Sequence, residues 1–451
     1  MILPHAFEDQ LSFLDADEVI DLKSALTESP VTSLRVNPAK WAHEVILPKV
    51  PWTDHGYYLP ERPNFTCDPL LHAGAYYVQE ASSMVVGYIL KSLLEKLPEQ
   101  AMVLDLCAAP GGKSTDLAAG LRPGDILLSN EVIQSRARIL KETVMKWGAA
   151  SHWVSSNDPE DFKQLPGMFD LMLIDAPCSG EGLFRKGPEA MKEWSPEAVS
   201  HCQKRQQRIL ADAWDSLAEE GFLIYATCTY NQYENEEVLQ WLIDNHEVAP
   251  VPMAVAEFGF KVFEQQGFPL YKAFPHQVKG EGFTYFVIQK KELTESVAPK
   301  AKRKKDQRKR VSVEKYIKDP QAEGLVVDEV LYYTDDLPTR DLLGERLHML
   351  KSGLRIGEFK KNKLVPEHEL ALSQLISEHY QSIELTYEQA ILYLRKEAFD
   401  APEGDRGFNV VRYKNVNLGF INHLGNRFNS LYPSGLRIHS QQCDSAERNI
   451  I

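Results

Sequence analysis

Val103-Leu-Asp-Leu-Cys-Ala-Ala-Pro-Gly-Gly-Lys-Ser114 decides the fold. Its apolar start reads as a strand, Gly111-Gly112 as a turn, and Lys113-Ser114 as the opening of a helix. Glycines let the backbone approach a ligand closely, and the first amides of a helix are unpaired donors. A phosphate-gripping loop, G-x-x-x-x-G-K-[ST], needs glycine where this chain has Cys107, so that reading fails on its defining residue.

The competing reading is a nucleoside-type cofactor, whose ribose hydroxyls are bound by an acidic residue at the end of the second strand, about twenty residues on. Glu131, in Leu127-Leu-Ser-Asn-Glu-Val132, stands there, and Asn157-Asp158 after the third strand is placed to hydrogen-bond an adenine edge. Without a phosphate cradle, this arrangement favours S-adenosylmethionine over a dinucleotide.

Working outward, candidate strands are Met102–Leu106, Asp125–Ser129, His152–Ser155, Leu171–Ile174 and Phe222–Tyr225, separated by helical stretches at Ser114–Ala119, Gln134–Trp147 and Ala198–Ala218. Short apolar strands alternating with helices predict an α/β fold with a parallel, doubly wound sheet. A chain of 451 residues exceeds what one hydrophobic core serves. Residues 1–95 are expected as an N-terminal α/β cap, 96–292 as the Rossmann-like core, 293–322 as a basic linker, and 323–451 as a further domain with β-rich stretches such as Phe408–Tyr413.

The composition is that of an ordinary soluble protein, with no stretch of the roughly 18 to 20 apolar residues a membrane span needs and no signal peptide. A cytoplasmic location without membrane partners is expected. The net charge of −14 argues against nucleic acid only globally, because electrostatic footprints are local. Lys300-Ala-Lys-Arg-Lys-Lys-Asp-Gln-Arg-Lys-Arg310 is a dense basic run, readable as a solvated spacer or as a phosphate-binding segment.

Six cysteines, at 67, 107, 178, 202, 228 and 443, form no C-x-x-C pair, so neither a zinc site nor a disulfide framework is indicated. An isolated cysteine is ordinarily a small buried hydrophobe. Cys178, in Asp175-Ala-Pro-Cys-Ser-Gly180, and Cys228, in Tyr225-Ala-Thr-Cys-Thr-Tyr230, instead each follow an apolar run, where strands of an open sheet deliver residues to one crevice. Carbon 5 of a pyrimidine is a poor nucleophile, and adding a thiolate to carbon 6 turns the ring into an enamine that accepts a methyl group. Asp175 is placed to hydrogen-bond the N3–N4 face of cytosine, and Lys113 to favour a thiolate.

Ala108-Ala-Pro-Gly-Gly-Lys113, Asp175-Ala-Pro-Cys-Ser-Gly-Glu-Gly182 with Phe184-Arg-Lys186, Thr227-Cys-Thr229 and Asn231-Gln-Tyr-Glu-Asn-Glu236, preceded by Tyr77-Val-Gln-Glu-Ala-Ser-Ser83, resemble the Nop/Sun family of RNA cytosine-5-methyltransferases over about residues 70 to 290. Ala226 departs from the Ser of many relatives. The resemblance implies an S-adenosylmethionine-dependent methyltransferase core, Cys228 as nucleophile and Cys178 as promoter of release. It also implies a cofactor site lined by Cys107, Ala108, Ala109, Pro110, Gly111, Gly112, Lys113, Glu131, Asp158 and Asp175, with no metal. DNA cytosine-5-methyltransferases use the Pro-Cys thiol as nucleophile, so the order of roles is inherited from the RNA family. Gly353–Leu370 and Gly419–Arg437 are similar to the PUA-like tail of the family's bacterial small-subunit rRNA branch. That likeness implies an RNA partner, 16S rRNA in the 30S subunit, and no DNA. A tRNA enzyme of the same chemistry and a non-catalytic ribosome-assembly factor are the alternatives.

Overall fold

In the computed structural model, which describes residues 3–294, 309–319, 322–361, 363–440, 443 and 450–451, the chain begins with two helices, His5–Asp9 and Ala16–Ala25. Strands β1 (Thr32–Val36), β2 (Gly56–Leu59) and β3 (Tyr76–Val78) then form a small antiparallel sheet. The central sheet follows: β4 (Met102–Asp105), β5 (Ile126–Asn130), β6 (His152–Ser155), β7 (Phe169–Asp175) and β8 (Leu217–Thr227) are parallel, in the order β6-β5-β4-β7-β8. Beyond β8 lie β9 (Val248–Pro250), β10 (Lys261–Gln265), β11 (Phe268–Ala273) and β12 (Phe283–Lys290), with β12 antiparallel to β8 and carrying both β9 and β11.

Period-2 alternation covers both faces. Along β7, Leu171 and Leu173 join Val103, Leu127 and Ile224 beneath helices Val85–Leu93 and Gly112–Gly120, whereas Met172 and Ile174 join Leu104, Leu128 and Leu223 beneath Pro196–Ala213 and Glu236–Asn245. The expected doubly wound sheet is therefore present. After β4 the chain builds β5 and β6 on one side and returns with β7 on the other, which opens a crevice at the carboxyl ends of β4 and β7, the general place for a ligand in such sheets.

Three expectations are corrected. The helix expected to run to Ala218 ends at Ala213, and β8 starts at Leu217 rather than Phe222. Glu220 holds a φ of 59° inside this strand, and the register against β7 shifts between Phe169 and Leu171, so the start carries no clean alternation. Secondly, Met349–Lys351 from the C-terminal part adds an antiparallel strand beside β6, held where His348 exchanges hydrogen bonds with the Asn157 side chain. Thirdly, Cys67 and Cys443 form a disulfide across 376 residues of sequence. They meet because Leu34, Val36 and Tyr76 of the N-terminal sheet share one core with Val411, Leu418 and Ile421 of a C-terminal sheet, a juxtaposition that cysteine spacing does not announce.

That C-terminal sheet comprises Ser382–Glu384, Gly407–Tyr413, Val416–His423 and Phe428–Ser430. A five-stranded sheet from Lys309–Ser312 to Lys363–Pro366 precedes it. Of the basic run 300–310, residues 300–308, including Lys302, Arg303, Lys304 and Lys305, lie outside the described residues. No helix among the described residues is long and apolar enough to cross a membrane.

Arg35 fastens the N-terminal sheet to the crevice. Fully buried, it donates to Gln79 Oε1 (2.9 Å), Gly112 O (3.2 Å) and Thr115 Oγ1 (2.6 Å), pairs with Asp116 (3.3 Å) and lies over the Trp147 ring. The start of the Gly112–Gly120 helix is thereby fixed from behind.

Candidate active site

Glycine chemistry sets the floor of the crevice. Gly111 precedes the helix Gly112–Gly120 at a φ of 110°, and a Cβ there would stand 2.9 Å from Thr143 Cγ2. At Gly112 a Cβ would reach 3.0 Å from the Tyr77 ring. Leu106 N donates to Leu173 O (2.9 Å) and Ala108 N to Asn130 O (2.8 Å), so the loop after β4 is tied to both neighbouring strands.

Carboxylates gather round this loop. Glu131, just past β5, is 4% exposed; it accepts from Ile133 N (2.9 Å) and pairs with Arg136 (3.2 Å), which also donates to Ala109 O (2.8 Å). Asp105 at the end of β4 accepts from Ser114 Oγ (2.6 Å), while its other oxygen, Oδ1, has no partner among the described residues. Burial, opposed by the Ser114 hydrogen bond and reinforced by the charge of Asp175, pushes the Asp105 carboxyl up to about 7. Burial first, and then the charges of Asp105, Asp175 and Glu131, hold the Cys107 thiol well above its ordinary value.

Asp158 takes a different position. It caps the 3₁₀ turn Pro159–Gln164, accepting from Glu160 N (3.2 Å), and pairs with Arg208 (3.2 Å). Asn157, its neighbour, is occupied with His348.

The two cysteines meet. Cys178 follows β7, Cys228 follows β8, and their Sγ atoms are 3.1 Å apart. Asp175, the last residue of β7, accepts from Lys113 Nζ (2.8 Å), whose ammonium also lies over the Phe283 ring. Burial lowers the Lys113 ammonium, but the charge and hydrogen bond of Asp175, followed by the charges of Cys228 and Asp105, outweigh it and leave it raised. The hydrogen bond with Cys228, burial, and the charges of Cys228 and Glu234 hold the Cys178 thiol well above its usual range.

Sequence reasoning quoted the segments around this pair but missed the residues that hold it. Glu181, fully buried, accepts from Tyr230 N (2.6 Å), Asn231 N (3.1 Å), Asn231 Nδ2 (2.9 Å) and Trp194 Nε1 (3.2 Å). Gly182 N donates to Cys228 O (2.8 Å), an approach so close that a Cβ on Gly182 would stand 3.0 Å from that oxygen. Thr227 Oγ1 donates to Asn235 Oδ1 (2.8 Å). The available signal was the run Asn231-Gln-Tyr-Glu-Asn-Glu236, whose polar residues are too dense for an ordinary helix start.

The cluster of Asp105, Glu131 and Asp175 suits a ligand with cationic centres and hydroxyl groups. S-adenosylmethionine, with its sulfonium, ammonium and ribose diol, fits that set of acceptors, and the partnerless Asp105 Oδ1 marks unmet demand for a donor. Among the described residues no cluster of His, Cys, Asp or Glu is arranged to hold a metal ion.

Comparison with known proteins accounts for nearly the whole chain. Residues 92–289 match the family described as 16S rRNA methyltransferase RsmB/F, 3–81 the N-terminal domain of 16S rRNA methyltransferase RsmF, 313–373 the RsmF rRNA methyltransferase first C-terminal domain, and 380–438 the methyltransferase RsmF PUA domain. The chain is 30% identical to the ribosomal RNA small subunit methyltransferase F of Aliivibrio salmonicida, over 97% of this chain and 98% of that one. It is 29% identical to the protein of the same name from Shewanella piezotolerans, over 90% of each. Among solved structures, a methyltransferase homologue from Pyrococcus horikoshii aligns at 26% identity with a TM-score of 0.54, covering 63% of this chain and 94% of that one. NSun6 from the same organism, at 17% identity and a TM-score of 0.51 over 64% and 98%, shares the fold.

Proposed function

The chain belongs to the ribosomal RNA small subunit methyltransferase F family, and from that premise we propose that it methylates carbon 5 of a cytosine in 16S rRNA through a covalent bond between Cys228 and carbon 6. The observation that carries this reading is the pair of thiols 3.1 Å apart beside the Lys113–Asp175 ion pair. Thiolate addition followed by elimination gives each thiol a task, Cys228 to attack and Cys178 to promote release, which explains two cysteines in one crevice better than a disulfide or a metal does.

S-adenosylmethionine, the cofactor, supplies an electrophilic methyl group and leaves as S-adenosylhomocysteine. Glu131 would hold its ribose hydroxyls, the loop from Cys107 to Lys113 would line its site, and Asp105 with Asp175 would favour its positive charge. Asp158, from its cap after β6, would lie at the adenine end. The target base must leave its stack to expose its face to Cys228. The Cys228 thiolate, with the Lys113 ammonium near it, forms the sulfur–carbon 6 bond, and the electron pair released toward carbon 5 makes the new bond to methyl. Asp175 hydrogen-bonds N4, and N3 when that nitrogen is protonated, as charge develops in the ring. Once Cys178 has lost its own thiol proton to solvent, its thiolate takes the carbon 5 proton, the carbon 5–carbon 6 double bond re-forms, and the bond to Cys228 breaks. The PUA-like C-terminal region contributes RNA affinity, and the reaction belongs to the cytoplasm, where 30S subunits are made.

Two expectations test this reading. Glu131→Ala raises the cofactor Kd roughly tenfold or more, since a hydrogen bond to a charged group contributes about 1.5 to 3 kcal/mol; calorimetry giving an unchanged Kd removes Glu131 from the site. Labelled methyl groups offered with assembled 30S subunits, naked 16S rRNA and bulk tRNA enter 16S rRNA as 5-methylcytosine. Label confined to tRNA transfers the same chemistry to another substrate, and label at any other atom of the base overturns the mechanism.

A further inference from the structure

The mechanism above assigns no task to Glu234, although it is fully buried and sits behind Cys178. Its carboxylate is the convergence point of four donors: Ser179 N (3.0 Å), Ser179 Oγ in a short hydrogen bond, Asn231 Nδ2 (2.8 Å) and Gln206 Nε2 (2.8 Å). Its backbone is held as firmly. The amide donates to Asn231 Oδ1 (2.9 Å), and the carbonyl accepts from Tyr225 Oη (2.9 Å), whose ring stacks on Phe286.

The partners bracket both cysteines. Gln206 Nε2 also donates to Pro177 O (3.0 Å), so the residues before and after Cys178 are bound to one unit. On the other side, Asn231 Nδ2 donates to Thr229 Oγ1 (2.9 Å), and the Thr229 and Ser179 hydroxyls are 3.2 Å apart, which ties the residue after Cys228 to the residue after Cys178. Among the described residues no lysine or arginine forms an ion pair with Glu234. A glutamine would fill the same volume without the cost of a buried charge, so a purely space-filling role does not account for the carboxylate.

We propose that Glu234 is a positioning residue that holds the Cys178 thiol in register with the Cys228 adduct, and thereby governs release of the methylated RNA rather than the methyl transfer before it. Ser179 and Gln206 are its arms on the Pro-Cys loop, and Asn231 with Thr229 its arm on the Thr-Cys loop. Burial, against the hydrogen bonds of Ser179 and Asn231, pushes the Glu234 carboxyl up to about 7, and its charge is among those that raise the Cys178 thiol. This inference rests on the two-cysteine reading given above.

The test uses the full chain, S-adenosylmethionine and 30S subunits, with three variants read side by side for single-turnover methyl incorporation, steady-state turnover, and covalent protein–RNA complex on a denaturing gel. Glu234→Gln keeps single-turnover incorporation within a few-fold and leaves KM for RNA unchanged, while kcat falls about 10- to 100-fold and the complex accumulates, as misplacement of a reacting group of about 1 Å costs. Ser179→Ala, which removes only one of the four contacts, shows a smaller effect of the same sign and keeps the test decisive where Glu234→Gln melts early. A merely structural role lowers incorporation and turnover together with no complex, and that result overturns the proposal, as does unaltered turnover in both variants. Cys178→Ala is the control. Complex in the control but in neither Glu234→Gln nor Ser179→Ala refutes the positioning role alone, whereas no complex in the control refutes the two-cysteine reading itself.

Discussion

Cys228→Ala is expected to abolish methyl transfer, by roughly 10⁴-fold or more, as loss of a covalent nucleophile does in other enzymes. Cys178 does not take its place, although the two sulfurs are 3.1 Å apart. Thr227 is pinned to Asn235, and the Cys228 carbonyl to Gly182 N, so the backbone that aims residue 228 does not yield its place to a neighbour. Cofactor affinity stays within about twofold, because Cys228 stands at the end of β8 while Glu131 and the Gly111-Gly112 turn follow β5 and β4. Radiolabel incorporation and calorimetry on the same preparation check both statements. Retained turnover sinks the assignment of the nucleophile, and loss of cofactor binding shows that the substitution disturbed more than a sulfur atom.

Cys178→Ala is expected to behave differently. Methyl transfer proceeds once, so incorporation rises to about one equivalent per enzyme and stops, while steady-state turnover falls by roughly 10²- to 10⁴-fold, the contribution of a positioned general base. The substitution also removes the hydrogen bond between the two sulfurs, and it leaves the Lys113–Asp175 pair in place. A variant that turns over at the wild-type rate contradicts the division of labour; one that fails to methylate even once shows the roles reversed.

Much of the site was legible because it lies in short contiguous segments at strand ends. The turn at Gly111-Gly112, Glu131 after β5, Asp175 and Cys178 after β7, and Cys228 after β8 follow from one rule about open α/β sheets. The Gln134–Trp147 helix and strand β6 also have the expected bounds. What stayed hidden depends on contacts between distant segments. Glu234 and Glu181 stand in quoted motifs, yet their meaning comes from donors 3 to 55 residues away. Arg35 has no motif of its own and reaches the crevice only because the N-terminal sheet packs behind Gly112. The Cys67–Cys443 disulfide and the strand Met349–Lys351 likewise record how separate sheets assemble, which hydropathy within a window does not encode. The Asn157 amide bonds the His348 backbone and Asp158 beside it caps a turn, contacts that the sequence does not announce.

The central claim is covalent attack by Cys228 on the target base. Cys178→Ala protein incubated with S-adenosylmethionine and 30S subunits, then run on a denaturing gel, gives a protein species shifted by bound 16S rRNA, and the shift disappears in the Cys178→Ala/Cys228→Ala double variant. No shifted species, or one that survives the loss of Cys228, contradicts the account.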